Sequence, residues 1–165
     1  MSNVMYNDYV DTPIGNLMLS FNEKFELVSA IFSSEETTLP VANGLGSDEI
    51  QQVKKQFDEY FNGTRQTFDI PLSPEGTVFQ KKVWSELLNI SYGKTATYQQ
   101  MAHTLGDPKV IRAAAAANGK NPISIVIPCH RVIGSDGSLT GYAGGLHRKK
   151  WLLEFENPSP QQSLF

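Results

Sequence analysis

The sequence predicts two halves of different architecture: an α/β first half, in which strands precede one helix, and a mainly α second half that contains a helix-turn-helix. Residues 5–32 form three strand-like segments separated by turn signals. Beyond Gly76 the apolar spacing becomes helical. The charge changes at the same place, because residues 1–75 hold four Lys or Arg against twelve acids, whereas residues 76–165 hold ten against five.

Three strands are predicted to form an antiparallel meander in the first half, over Met5–Thr12, Asn16–Asn22 and Leu27–Phe32. Turn-forming residues separate them, Pro13–Gly15 between the first two strands and Glu23–Lys24 between the last two. These segments bring no nucleophile together with a base, so we interpret this half as a scaffold.

A helix and a short strand are predicted to follow. Ser47 can cap the helix, and Asn62–Gly63 can end it. Its apolar residues share one face: Ile50, Val53, Phe57, Tyr60 and Phe61. Residues 68–74 predict a short strand that leads into a proline-containing linker.

Three helices are predicted to open the second half. Thr77 caps the first, whose apolar residues share one face: Phe79, Val83, Trp84, Leu87 and Leu88. Thr97 caps a short second helix, and a turn at Gly106–Pro108 separates it from a third over Lys109–Asn118. Short helices joined by such a turn are typical of a helix-turn-helix, with the last one in the recognition position. A hairpin turn at Ser135–Ser138 would add a wing.

A cysteine and a histidine follow the apolar run over residues 123–127, which we predict to be a buried strand. An imidazole at His130 and a guanidinium at Arg131 would both favour a thiolate at Cys129. Neighbouring strand residues point to opposite faces, so cooperation between Cys129 and His130 requires a turn at Pro128 or a water between them. The alternative is a small buried hydrophobe beside a hydrogen-bonded structural histidine.

The third helix has an unusual composition, because Arg112 is followed by five alanines, Ala113–Ala117. Reading base edges in the major groove needs long hydrogen-bonding side chains, and this run has none. An alanine face can instead approach a narrow groove closely, with Arg112 inserted into the base stack. This predicts sequence-independent binding in the minor groove; the alternative is a buried helix made of the best helix former.

A glycine-rich loop and a last helix complete the second half. The loop over residues 141–145 can approach a flat ligand closely, and Tyr142 could stack on that ligand, although a plain turn would have the same composition. In the helix that follows, Glu156 could orient His130 as the acid of a thiol–imidazole–carboxylate arrangement, or it could be an ordinary surface charge.

The composition excludes several classes of protein. One cysteine in 165 residues excludes an intramolecular disulfide and any metal site built from several thiolates. No apolar run reaches the roughly 18 to 20 residues that span a bilayer, and the first residues lack the features of a signal peptide. We therefore expect a cytoplasmic protein, with access to the nucleoid if it is bacterial. The basic second half makes a nucleic acid a candidate partner, with uneven surface charge as the alternative.

The segment Ile127–Val132, with Asn121–Pro122 before it and Gly141–Leu146 after it, resembles the O6-alkylguanine-DNA alkyltransferase family, also called methylated-DNA–protein-cysteine methyltransferases. The resemblance extends to further positions along the chain: Thr12–Gly15, Phe79–Trp84, Thr97–Gln99, Arg112 and Trp151–Glu156. It implies an RNase H-like α/β scaffold domain over residues 1–75 and a winged-helix DNA-binding and catalytic domain over residues 76–157, with a polar tail over residues 158–165.

The family pattern implies a role for each candidate site residue. Cys129 would accept the alkyl group, His130 would take the thiol proton through a water, and Glu156 would hold the imidazole. Tyr98 would donate a proton to the guanine, and Asn121 would hydrogen-bond across the hinge next to the site. DNA would be contacted by Arg112, which fills the stack after the damaged nucleotide flips out, by Gln99 at a backbone phosphate, and by Ala113, Ala114, Ala117 and Ser135. The substrate pocket would be lined by Tyr142, Ser135, Gly144 and Met101.

The resemblance therefore predicts a monomeric DNA repair protein that needs no cofactor or metal. It would transfer the alkyl group from O6-alkylguanine, and from O4-alkylthymine, in double-stranded DNA to Cys129. The reaction would occur once per molecule, because no neighbouring group could cleave the thioether product. The alternatives are a non-catalytic winged-helix protein that binds lesions or regulates genes, and a thiol hydrolase that turns over many substrate molecules.

Overall fold

The structure, a computed structural model, describes residues 4–33, 42–43, 47–139 and 141–158, so the predicted tail lies outside the described residues from residue 159 onward. The chain divides into two units, Met1–Glu75 and Gly76–Phe165. Every helix in the described ranges is too short or too polar to cross a membrane.

The first unit contains the predicted meander. Strands β1 (Tyr6–Thr12), β2 (Gly15–Phe21) and β3 (Leu27–Phe32) form one antiparallel sheet in that order. Val10 on β1 lies opposite Leu17 on β2, and both are buried. Because successive strand residues alternate between faces, this register places one apolar face in the core of the unit.

Helix α1 (Asp48–Phe61) supplies the other side of that core. It begins after Ser47, whose hydroxyl accepts a hydrogen bond from the backbone N–H of Ile50, as the capping prediction requires. Its buried residues are Ile50, Val53, Phe57 and Tyr60. Phe61, which was predicted on the same face, is only half-buried.

The strand predicted over residues 68–74 is reduced to a single bridge. Leu72 pairs with Leu27 in parallel, and the backbone of Leu27 hydrogen-bonds to Pro71 and Ser73. Proline at position 71 has no N–H to donate, which limits the pairing that this segment can make.

In the second unit, α2 (Val78–Leu87) and α3 (Tyr98–Thr104) begin where the sequence predicts. Thr77 and Thr97 each form a capping box with the glutamine three residues later, so that two backbone N–H groups are satisfied at each helix start. The second box fixes Tyr98 as the first residue of α3.

The predicted third helix, Lys109–Asn118, is divided in the structure into a 3₁₀ turn (Pro108–Val110) and α4 (Ile111–Gly119). Asp107 caps the turn by accepting the backbone N–H of Lys109 at 2.9 Å. Helix α4 therefore begins one residue before Arg112.

The hairpin of the predicted wing is absent from the described part of the chain. Its turn exists, since the backbone N–H of Gly134 donates to the carbonyl of Ser138 at 2.8 Å, but residues 134–139 form no strand. Strand β5 (Val132–Ile133) pairs instead in parallel with β4 (Ala96–Thr97), directly before α3. The first predicted arm is therefore a strand, whereas no second arm forms among residues 134–139.

Candidate active site

Cys129 lies at the start of a 3₁₀ turn that follows a buried loop rather than the predicted strand. The side chain of Asn121 holds this loop. Its Nδ2 donates to the carbonyls of Ile123 at 3.2 Å and Ile127 at 2.8 Å, and its Oδ1 accepts the N–H of Ile123 at 3.0 Å. Ile125 has a left-handed backbone with φ of 75°. Side-chain bonds thus satisfy backbone groups that a strand would pair with a neighbour.

A buried carboxylate lies at the end of the last helix, α5 (Leu146–Glu156). Glu156 Oε2 accepts hydrogen bonds from His130 Nε2 at 2.7 Å and Arg131 Nη2 at 2.9 Å, and Oε1 accepts one from Arg131 Nε at 2.8 Å. The backbone N–H of Gly93 also donates to Oε1, at 3.3 Å. Burial alone would raise the pKa of Glu156, but His130 and Arg131 outweigh it and hold that pKa well below its usual range.

This carboxylate determines which nitrogen of His130 carries the proton. Burial lowers the pKa of His130 more than Glu156 raises it, so the imidazole is neutral near pH 7. An ionised carboxylate can only accept, which assigns the ring proton to Nε2. The Nδ1 atom is then a basic acceptor, and it is buried with no hydrogen-bond partner among the described residues.

The structure does not support the prediction that His130 and Arg131 favour a thiolate at Cys129. Burial raises the pKa of its thiol to about 11, although Asn121 and Lys149 lower it in part. His130 and Arg131 do not stabilise the thiolate as predicted, because both direct their N–H groups to Glu156. The resting residue is therefore a protected thiol that needs a base.

Sequence reasoning missed Lys149 on α5, which is completely buried. Its Nζ lies 3.4 Å from the hydroxyl of Tyr98 and 5.6 Å from the centre of that ring. Burial lowers the pKa of Lys149 to about 8, and the thiolate form of Cys129 raises it in part. The signal that could have identified it is helical spacing, which places Lys149 on the same face of α5 as the apolar Leu152 and Leu153.

The glycine-rich loop lies beside Tyr98. A Cβ atom added to Gly141 would be 3.5 Å from the Tyr98 hydroxyl. Tyr142 is buried, and this burial together with the thiolate of Cys129 raises the pKa of its phenol well above the usual value. Met101 is buried one turn beyond Tyr98 on α3, whereas Gly144 is half-buried and accepts Arg148 Nη1 at 2.8 Å.

The predicted DNA-binding face of α4 is only partly correct. Arg112, Ala113 and Ala116 are exposed, but Ala114 and Ala117 are 1% and 3% exposed. Those two alanines pack inside the second unit, because residues three apart lie on one side of a helix. Ala114 and Ala117 therefore cannot line a bound groove, and that part of the prediction is wrong.

Gln99 and Ser135 lie on one open groove of about 730 Å³. The Ser135 hydroxyl donates to Gln99 Oε1 at 3.4 Å, and both residues are exposed. The other lining residues come from β4 and α3: Ala96, Thr97, Gln100, His103 and Thr104. The two predicted DNA contacts from distant parts of the sequence are thus adjacent.

Both units are similar to known proteins. Residues 5–74 match the family model described as "6-O-methylguanine DNA methyltransferase, ribonuclease-like domain", and residues 78–158 match "6-O-methylguanine DNA methyltransferase, DNA binding domain". A methylated-DNA–protein-cysteine methyltransferase of Methanosarcina barkeri is 44% identical over 153 residues, which cover 92% of this chain and 97% of that relative. The constitutive one of Bacillus subtilis is 38% identical over 161 residues, with coverage of 93% and 96%.

Solved structures are similar over the same length. The crystal structure of Mycobacterium tuberculosis O6-methylguanine methyltransferase matches with a TM-score of 0.80 and 40% identity, covering 94% of both chains. The crystal structure of Mycobacterium tuberculosis OGT in complex with DNA matches with a TM-score of 0.82 and 38% identity, covering 97% of this chain and 98% of that one. The similarity therefore extends over both units of the fold.

Replacing Glu156 with Gln should lower the free energy of unfolding by about 3–5 kcal/mol at pH 7, because Arg131 is left buried without its counter-charge. The folded pKa of Glu156 lies below its unfolded value, so its contribution is complete above pH about 4.5 and is lost as the pH falls. Urea unfolding should give the same difference between the two proteins at pH 7 and pH 5, and a smaller difference at pH 3.5.

The matched control is Glu154→Gln on the same helix, where the exposed carboxylate lies 4.0 Å from Lys150. It should change stability by less than about 1 kcal/mol. An equal loss in both variants, or a constant difference between parent and Glu156→Gln across this pH range, would contradict the assigned role.

Proposed function

Because this chain belongs to the 6-O-methylguanine DNA methyltransferase family, we propose that Cys129 is the residue that accepts the alkyl group. The chain is a DNA repair enzyme that transfers alkyl groups from methylated DNA to a protein cysteine. One observation carries the assignment. The single cysteine of the sequence is followed directly by His130, whose imidazole is hydrogen-bonded to the buried Glu156. Transfer of carbon from oxygen requires a soft nucleophile, which a thiolate is.

The first step is removal of the thiol proton. We propose that it passes through a water molecule to His130 Nδ1, while Nε2–H remains bonded to Glu156. The carboxylate then faces an imidazolium, whose positive charge it stabilises. A thiol pKa of about 11 supports this base-assisted route, since the free thiolate is scarce near neutral pH.

In the second step a C–S bond forms and the O6–C bond breaks. The electron pair of the broken bond passes to the guanine, which takes a proton from the Tyr98 hydroxyl. The phenolate that remains is next to Lys149 Nζ, which can donate a hydrogen bond to it. The products are neutral guanine and a thioether on Cys129. Regenerating Cys129 would require its thiolate to leave the alkyl carbon of an unactivated thioether, so each molecule reacts once.

The second unit would present the damaged base to Cys129. We propose a winged-helix domain over residues 76–157, with α3 and α4 as its helix-turn-helix and the turn at Ser135–Ser138 in the wing position. The exposed Arg112 and Ala113 would enter the minor groove, and Arg112 would replace the flipped nucleotide. Gln99 and Ser135 would bind the DNA at their shared groove.

The flipped base would enter a pocket formed by Tyr142, Gly144, Met101 and Ser135. O4-alkylthymine has the same alkyl–oxygen bond on a smaller base, and we propose it as a second substrate. Residues 1–75 would act as an RNase H-like scaffold. The protein would act as a cytoplasmic monomer on DNA of nearly any sequence, without a cofactor.

Mixing the protein with duplex DNA that contains O6-methylguanine should add one methyl mass per chain, located on Cys129 by peptide mass spectrometry. Cys129→Ser should still bind the duplex but gain no mass, because an alcohol is a much weaker nucleophile. Product formation beyond one equivalent, or a methyl group on another residue, would reject the proposal.

Replacing Arg112 with Ala should slow the repair of duplex DNA by roughly one to three orders of magnitude, because the arginine offsets part of the cost of flipping. Reaction with the free O6-methylguanine base, which needs no flipping, should be nearly unchanged. The measurement is the transfer rate on both substrates at one salt concentration.

Lys120→Ala, which removes one exposed charge at the other end of α4, controls for general electrostatic loss. A similar loss on duplex and free base for Arg112→Ala would mean that Arg112 supports the fold or the pocket rather than flipping.

Replacing Lys149 with Met should slow transfer near neutral pH by roughly tenfold, because the thiolate of Cys129 and the phenolate of Tyr98 both lose a nearby cation. The ammonium lowers the pKa of Cys129, so its removal raises that pKa and moves the rate–pH curve to higher pH. The measurement is the single-turnover rate on free O6-methylguanine base between pH 6 and 10.

Lys150→Met is the matched control, because this lysine is exposed on the same helix. Thermal stability should be retained in Lys149→Met, since a buried charge is replaced by an apolar side chain of similar length. If the rate–pH curve of Lys149→Met coincides with that of the parent, Lys149 has no role in the transfer.

A further inference from the structure

Helix α4 presents a polar side chain to the interior at one position. Its buried residues are Ala114, Ala117 and Asn118. Asn118 is 2% exposed, and its Oδ1 has no hydrogen-bond partner among the described residues. An apolar side chain at this position would avoid the cost of an unpaired buried acceptor. Stability of the helix therefore does not explain an asparagine here.

The side-chain nitrogen of Asn118, unlike its oxygen, has a partner, which is the backbone of Cys129. Asn118 Nδ2 donates to the backbone carbonyl of Cys129 at 3.3 Å, across a sequence separation of eleven residues. The carbonyl of Cys129 also accepts the backbone N–H of Val132, which closes the 3₁₀ turn. Cys129 lies in a single 3₁₀ turn and in no α-helix or strand. These bonds and the one that its N–H donates to the carbonyl of Ile127 at 2.8 Å therefore set its backbone position.

Two asparagines at the end of α4 therefore hold successive parts of one loop. Asn121 binds the carbonyl of Ile127, two residues before the nucleophile, and Asn118 binds the carbonyl of Cys129 itself. The first was expected from the family pattern, whereas the second was not. The exposed face of α4 begins with Arg112, so one helix joins the proposed DNA contact to the nucleophile.

We propose that Asn118 is a positioning residue for alkyl transfer, which acts by holding the backbone of Cys129 at a fixed place relative to α4. The inference rests on the proposed role of Cys129 as alkyl acceptor. In-line displacement depends steeply on the placement of the attacking atom, so a nucleophile whose backbone is released should react more slowly with every substrate.

The structure provides a matched control on the same helix. Trp84 Nε1 donates to the carbonyl of Ala117 at 2.8 Å, which attaches the last turn of α4 to α2. Trp84→Phe removes this buried hydrogen bond and leaves the one to Cys129 in place. This control distinguishes an effect on the position of Cys129 from an effect on the anchoring of α4 to α2.

The experiment compares Asn118→Leu and Trp84→Phe with the parent, using single-turnover rates on free O6-methylguanine base and on saturating duplex DNA. Asn118→Leu should react about tenfold more slowly on both substrates, the equivalent of one hydrogen bond, with the Kd for duplex within about twofold of the parent. Trp84→Phe should keep its transfer rate within about twofold. Asn118→Ser, which is too short to reach Cys129, should be as slow as Asn118→Leu and provides the test if leucine prevents folding.

Parent-like rates in a folded Asn118 variant would overturn the inference. So would an equal loss of rate in Trp84→Phe, which would assign the effect to helix anchoring. A rate loss confined to duplex DNA would also overturn it, because Cys129 is shared by both substrates. If the parent itself gains no alkyl group on Cys129, the proposed function fails instead, and the two failures are thereby distinguished.

Discussion

The buried carboxylate of Glu156 is the interaction on which the second unit depends. It joins the end of α5 to the turn that carries Cys129 and, through Gly93, to the segment before β4. Arg131 extends the connection by donating to the carbonyl of Ile90 at 2.7 Å. The approach at Gly93 is close, since a Cβ there would lie 3.2 Å from the carbonyl of Glu156. A single anion thus sets the ring orientation of His130 and the fold around it.

The buried Lys149 has a different relation to the chemistry. Lys149 is kept out of water, and its pKa of about 8 shows how weakly its surroundings support the ammonium. A thiolate on Cys129 raises that pKa, and the same Lys149 ammonium is within reach of the Tyr98 oxygen. Both groups that develop negative charge in the proposed reaction therefore lie near one cation, which pre-organises the site for anions rather than for the resting thiol.

Local sequence signals predicted the regular elements well but not the irregular ones. The turn signals between β1, β2 and β3 and the threonine caps at Thr77 and Thr97 act through neighbouring residues, so the sequence shows them directly. The loop before Cys129 could not be predicted, because its conformation depends on Asn121 bonds to residues that a strand pattern also fits. The sequence also could not predict which alanines of α4 face inward, because five identical residues have no periodicity that distinguishes one face from another.

The high pKa of Cys129 has a consequence for the lifetime of the unused protein. Peroxides and disulfides react with thiolates, and a thiol with a pKa of about 11 presents almost none near neutral pH. Cys129 is also 1% exposed, so oxidants in solution have little access to it. In the proposed reaction, in which each molecule reacts once, a single oxidation would inactivate a molecule, and the sequence holds no second cysteine to reduce it by exchange. Burial therefore slows the oxidation of the Cys129 sulfur and extends the time for which the unused protein can react.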